Sequence, residues 1–388
     1  MTTLPVALIT AALVRGAAEL EHTERGTLLH RLPAWARAEN TDPQLTMVES
    51  QPSGVRLTFR TAATVIELVV HRSRMNFTGV PARPDGVIDL VVDGVPIAHA
   101  TTSGGSSTTV DMTTGERVTE VDPPSTARFA GLPATMKTVA LWLPHNESVE
   151  LVELRADAEV QPVEHSARPV WLHHGSSISQ GSNAIRPTGI WPAVSARLAE
   201  VDLVNLGFGG SALLDPFVAR VIRDAPADVI SIKMGINLVN TDVMRMRAFG
   251  PAVHGFLDTI RDGHPTTPLV LVSPIYCGIH EKTPGPGAFD LSALADGQLR
   301  FIATGDPADR ARGKLALVDI RAELARVVAS RQSSDPNLHY VDGLDLYGEV
   351  DARLHPLPDA LHPDAETHQL IGERFAERTA GIFAQVSR

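Results

Sequence analysis

Cysteine is almost absent: the chain has one, Cys277. One thiol cannot build a disulfide framework or a thiolate metal cluster, and it suits a reducing compartment. Lysine is scarce too, present only at 137, 233, 282 and 314, so arginine dominates the 34 cations. These face 45 acidic residues, for a formal net charge of −11. A chain so charged repels phosphate backbones, and no basic run interleaved with aromatics offsets this locally, so no nucleic-acid partner is expected. Long apolar runs are missing as well. The stretch Leu4 to Val14 contains Pro5, has no Lys or Arg before it and is far too short to span a bilayer. It makes a poor signal peptide, so the expectation is a cytoplasmic protein without membrane contact. The sequons at Asn76 and Asn146 then carry no meaning.

What is present is enough for two ordinary domains: 388 residues, 43% hydrophobic and 20% charged, with 30 Gly and 28 Pro, far from the disordered regime. The first 165 or so residues carry β-branched runs with period-two alternation, VRLTF, TVIELVVH, GVIDLVVDGVPIAHA, TVALWLP and SVELVELRADAEV, separated by Gly, Pro, Ser and Asp clusters. That pattern predicts an all-β sandwich of jelly-roll type over residues 1–165. Asp93-Gly94 is a two-residue hairpin signal. The Ser/Thr/Gly-rich SGGSSTTVDMTTGE reads as a loop or an irregular edge. Between Glu164 and Pro169 the alternation stops in a polar segment, the expected boundary.

From 168 to 388 the pattern changes. Short apolar runs (VDLVNL, DVISIKM, PLVLVSPIY, LHYVDGL) alternate with stretches of helical spacing such as GIWPAVSARLAE and RMRAFGPAVHGFLDTIRDG. This predicts a five-stranded parallel sheet with helices on both faces. Its first strand lies in Val170 to Gly181, VWLHHGSSISQG, where an apolar run meets a tight Gly-Ser turn. Ligands bind at that end of open α/β sheets, which makes Ser177 a candidate nucleophile. The final helix is expected from about Pro363-Asp364, with Ile371, Phe375, Ile382, Phe383 and Val386 on one stripe.

Four short stretches fall in order: GSSISQG with Ser177, NLGFGG with Gly210, GIN with Gly235 and Asn237, and DALHP with Asp359 and His362. Taken together they resemble the SGNH, or GDSL, hydrolase family over about residues 168 to 388. The resemblance implies a flavodoxin-like three-layer domain and a nucleophilic Ser177. It implies His362 as base and Asp359 as the acid that orients it. The oxyanion hole would be the backbone N–H groups of Ser177 and Gly210 with the Asn237 amide. A Ser hydroxyl is barely ionised at neutral pH, so it needs such a base and such an orienting acid. Two positions depart from the family pattern: Ser176 stands where Asp is common, and Leu238 where Asp often follows the Asn.

Each stretch has a plainer reading when taken alone. Ser176 and Ser177 suit any turn, Asp359 suits a helix cap, and Asn237 and Gly210 suit turns. His173 and His174 read as packed residues at the strand end. Gly207-Phe-Gly-Gly-Ser-Ala212 also matches a dinucleotide fingerprint, but that fingerprint marks the first βα turn of its domain, a place held here by Ser177. No metal or other cofactor is called for. The resulting expectation is a serine esterase acting on a small-molecule carboxylic ester. The runner-up is an acyltransferase serving an alcohol such as a polyketide or sugar, to which the two-domain layout and HRLPAWARAEN bear a likeness. A third reading is a glycan-binding sandwich with an inactive second half, which the few aromatics (Trp35, Phe59, Phe77, Phe129, Trp142) disfavour. The oligomeric state is not legible.

Overall fold

The computed structural model of the chain describes residues 4–111, 113–163 and 168–386. The boundary expected between Glu164 and Pro169 falls mostly on 164–167, outside the described residues. By packing, residues 35–45, 168–184 and 190–386 form one compact unit and the other described residues a second.

The β unit follows from its alternation. Strand Lys137–Trp142 buries every second residue, with Val139 and Leu141 fully inside. It joins Arg56–Thr61 and Val87–Val92 in a six-stranded sheet. An eight-stranded sheet is built around the long strand Val65–Phe77, which pairs with Ser148–Ala156, Ser125–Ala130 and Gly105–Val110. Leu57, Phe59, Leu90 and Leu141 of the first sheet and Leu68, Val70, Leu151 and Leu154 of the second share one apolar cluster. Each such side chain contributes about 1.5–3 kcal/mol on burial. Asp93 (φ 47°) and Gly94 (φ 83°) form the hairpin turn between Val87–Val92 and Val95–Thr101.

The Ser/Thr/Gly-rich segment is more regular than its composition suggests. Gly105–Val110 is a strand, parallel to Val65–Phe77 and antiparallel to Arg117–Asp122. Gly105 lets the two backbones meet, since a Cβ there would lie 2.3 Å from the Arg72 carbonyl oxygen. The hydroxyls of Thr108 and Thr119 pair across the ladder at 2.9 Å. Every residue of Arg117–Asp122 is exposed, and its charges suit an edge strand.

The second unit is an α/β domain. Its strands are β1 (Val170–Gly175), β2 (Asp202–Gly207), β3 (Val229–Lys233), β4 (Leu269–Val272) and β5 (Leu338–Val341), all parallel, in the order β2-β1-β3-β4-β5. That is the flavodoxin-like order, with β1 beside the switch point. β3 and β4 are buried at every residue; β4 reads as an apolar run without alternation, while β3 also buries Ser231 and Lys233. Alternate residues of β1 show the helices on both faces. Trp171 and His173 meet Trp191 of helix α2 (Trp191–Leu198), and Trp171 also stacks on Phe375 of the final helix. His174 stacks instead on Phe256, from the helix Met246–Gly263 on the opposite face. The Trp171 ring alone contributes about 4–6 kcal/mol of transfer free energy. The final helix, Ala365–Val386, buries Ile371, Phe375 and Phe383.

Candidate active site

β1 delivers the nucleophile candidate through a turn without room for a side chain: a Cβ on Gly175 would lie 2.3 Å from Ser179 Oγ. Helix α1 (Ser177–Gln180) follows at once. A buried chain of hydrogen bonds sets its position. Trp171 Nε1 donates to Ser231 Oγ at 2.8 Å, and the same oxygen is hydrogen-bonded to His173 Nδ1 at 2.7 Å. His173 Nε2 is hydrogen-bonded in turn to Ser179 Oγ at 2.8 Å. Burial holds this imidazole well below its ordinary range, so the ring is neutral. Asn205 Nδ2 adds a bond to the Ser179 carbonyl at 2.9 Å. The two neighbouring serines separate clearly. Ser176 is 2% exposed and its hydroxyl has no partner among the described residues, whereas Ser177 is half-buried and reaches His362.

Asp359 and His362 meet Ser177 from a loop that folds on itself. Ala360 takes a positive φ of 66°. Asp359 Oδ1 accepts the N–H groups of Leu361 at 2.9 Å and His362 at 2.6 Å, and Oδ2 accepts His362 Nδ1 at 2.8 Å. A fourth donor, Asn183 Nδ2, reaches Oδ2 at 3.1 Å. Burial pushes the Asp359 carboxyl up, but the His362 ring and the loop N–H groups outweigh it and leave the group below the ordinary carboxylate range. An ionised carboxylate only accepts, so the His362 proton is on Nδ1. Nε2 is thus left to accept the Ser177 hydroxyl, at 2.9 Å. Asp359 does not cap the final helix; Asp364 does, accepting Thr367 N–H at 2.9 Å.

The Gly210 and Asn237 stretches lie beside Ser177. Three glycines of NLGFGG have three reasons. A Cβ on Gly207 would lie 2.5 Å from Gln180 N, and one on Gly209 would lie 3.2 Å from Gln180 Oε1, close enough that this side chain would have to give way. Gly210 has φ +77° in the turn closed by Ser211 N–H to the Phe208 carbonyl at 3.1 Å, a type II turn that calls for glycine there. Packing accounts for these glycines without a dinucleotide. Asn237 sits in helix α3 (Ile236–Asn240), whose first turn springs from Gly235 at φ +128°. Its Oδ1 accepts Ala212 N–H at 3.1 Å, which turns the amide's two N–H bonds the other way. Leu238, beside it, is fully buried.

Residues 168–279 match the family described as GDSL-like Lipase/Acylhydrolase. Over that stretch the chain is similar to this family, and the protein is an enzyme. Among solved structures it is similar to the salicylyl-acyltransferase SsfX3 from a tetracycline biosynthetic pathway, with 27% identity over 97% of this chain and 96% of that one and a TM-score of 0.76. A Bacteroides ovatus protein described as a GDSL-like lipase shares the fold at 18% identity, TM-score 0.65, covering 96% of each chain. So does an active-site mutant of a family two carbohydrate esterase from Clostridium thermocellum, at 13% identity and TM-score 0.59, over 95% of this chain and 98% of that one. No curated protein sequence matches the chain.

Several neighbours of this candidate site carry no signal in the four sequence stretches. Gln180 Oε1 accepts Gly209 N–H at 2.7 Å, Gln44 Nε2 donates to the Gly209 carbonyl at 2.9 Å, and Ser211 Oγ donates to Asp42 at 3.0 Å. Phe301 sets its ring against that of His362, centroids 5.5 Å apart at 77°. Asn183, at φ +67°, was within reach of sequence reasoning, because Asn tolerates the left-handed region and the residue follows Gly181 closely. Among the described residues no group of three His, Cys, Asp or Glu could hold a metal ion, and no helix is long and apolar enough to cross a membrane.

Asn183 yields a first prediction. Asn183→Ala removes one donor from the Asp359 carboxylate, and a bond to a charged group contributes roughly 1.5–3 kcal/mol. Part of that should appear as a loss of about tenfold in kcat/KM, with the fold intact. Asn183→Asp sets a second carboxylate against that of Asp359 and adds negative charge near the imidazole, so the acid limb of the activity profile should move to higher pH. A wild-type profile in both variants would show that Asn183 does not bear on the Asp359 carboxylate.

Proposed function

We propose that this enzyme is a serine esterase that cleaves small-molecule carboxylic esters through an acyl-Ser177 intermediate. The observation that carries the reading is the line from Asp359 Oδ2 through His362 to Ser177 Oγ, at 2.8 and 2.9 Å. His362 Nε2 takes the Ser177 proton as the oxygen attacks the ester carbonyl. Asp359 holds the ring in the tautomer this requires and stabilises the imidazolium. The proton then passes to the leaving alkoxide, and water repeats the sequence on the acyl-enzyme. The developing oxyanion is met by the N–H groups of Ser177 and Gly210 and by the Asn237 amide, each contributing about 3–4 kcal/mol at the transition state. Ser177 N–H heads helix α1, where the first N–H groups have no partner inside the helix.

A second reading has an observation of its own: the 27% identity to a salicylyl-acyltransferase along nearly the whole length of both chains. In that case the acyl group leaves Ser177 for an alcohol rather than water. The chemistry up to the acyl-enzyme is shared, so one experiment addresses both. The full chain, mixed with p-nitrophenyl acetate, should release a burst of about one equivalent of nitrophenolate. Acid quenching should then leave an acetyl group on the peptide containing Ser177. Adding phenolic and sugar alcohols and separating ester from acetate tells transfer from hydrolysis. Steady turnover with the acyl group on another residue would overturn the proposal.

A further inference from the structure

Resting on the esterase reading, we propose that Gln44 is a positioning residue for the oxyanion hole, acting through the peptide between Gly209 and Gly210. Residues 35–45 lie about 120 residues ahead of β1 yet pack with the α/β unit. Glu39 pairs with Arg220, whose guanidinium lies 5.3 Å from the centre of the Trp35 ring. The next stretch turns on Asp42, which accepts Gln44 N–H at 2.9 Å and the Ser211 hydroxyl at 3.0 Å. This brings Gln44 Nε2 to the Gly209 carbonyl oxygen at 2.9 Å.

The consequence follows from peptide geometry. In a trans peptide the C=O and the N–H point in opposite directions. With Gln44 on the Gly209 carbonyl, the Gly210 N–H of the same plane points away from Gln44. The Gly209–Gly210 turn is also pinned at its other corners, by Gln180 on Gly209 N–H and by Asn237 on Ala212 N–H. A donor on the carbonyl does two things. It fixes the plane of a turn that could otherwise rotate, and it polarises the amide, making its N–H a better donor. Gly210 is doubly required: a Cβ there would be strained at φ +77° and would press on Gln44 Cγ at 3.3 Å. The help should be felt mainly when charge develops on the substrate oxygen, hence in kcat.

Gln44 is itself exposed, so water can take over part of its hydrogen bond, and the effect is modest. In the full chain, Gln44→Leu should lower kcat for p-nitrophenyl acetate about three- to tenfold. KM should stay within about twofold and Tm should be unchanged. A boronate inhibitor, whose tetrahedral oxygen fills the same hole, should bind more weakly by the same factor. Gln44→Glu should be at least as slow, because a carboxylate cannot donate to the carbonyl and sets a negative charge beside the oxyanion. Unchanged kcat in either variant overturns the proposal, as does a fall in kcat with boronate affinity unaltered. Ser177→Ala, run in parallel, separates the failures. If it is inactive while the Gln44 variants match wild type, only the role of Gln44 is lost; if it stays active, the esterase reading itself has failed.

Discussion

Ser177→Ala is expected to lower kcat for p-nitrophenyl acetate by five to six orders of magnitude, roughly what loss of a serine nucleophile costs in enzymes of this chemistry. Tm should move little, because the hydroxyl's hydrogen bond is to His362 and the position is half-buried. Ser176→Ala is the matched control. The Ser176 hydroxyl is buried without a partner among the described residues, and removing such a group relieves an unmet desolvation cost of about 1–3 kcal/mol. That variant should therefore be as stable as wild type or more so, and active. The reverse pattern, with Ser176→Ala inactive and Ser177→Ala active, would move the nucleophile by one residue.

The features legible in the sequence share one property: their physical demand is local. β4 announces itself because a strand buried on both faces is mostly apolar, and β3 nearly so, with Ser231 and Lys233 its polar exceptions. The Asp359-to-His362 loop is readable because the carboxylate bonds its own backbone two and three residues on while meeting the His362 ring. Gly207 and Gly210 are readable because backbone approach and a positive φ, respectively, exclude a side chain.

What could not be read is set by partners distant in sequence. Asp42 looks like an ordinary helix cap, and it is one for Gln44 and Leu45, yet it also receives Ser211. Nothing local in Gln44 points to a carbonyl 165 residues away. The hydrogen-bonded chain from Trp171 through Ser231 to His173 is visible only once β1 and β3 lie side by side. The strand Gly105–Val110 was hidden for a different reason. Its hydroxyl side chains satisfy the ladder as well as apolar ones would, without an alternation to betray them.

Asn237→Ala should reduce kcat by about 10²–10³ with little change in KM, the cost of removing one side-chain donor from an oxyanion hole. The difficulty is that Asn237 also has a structural task. It is 2% exposed and its Oδ1 accepts Ala212 N–H at 3.1 Å, so the alanine variant leaves a buried donor unmet at a cost of roughly 1–3 kcal/mol. Lower activity alone could then reflect a displaced Gly209–Gly210 turn. Asn237→Asp separates the two effects. It has nearly the same shape, its carboxylate can still accept Ala212 N–H, and the turn should hold, so Tm should recover toward wild type. Activity should not recover, since the two N–H donors are gone and a negative charge now faces the developing oxyanion; kcat should fall at least as far as in Asn237→Ala. Tm and kcat are therefore expected to part company across the pair. If they instead rise and fall together, or if Asn237→Asp retains near wild-type turnover, Asn237 is a structural clamp on Ala212 and the oxyanion is held by backbone N–H groups alone.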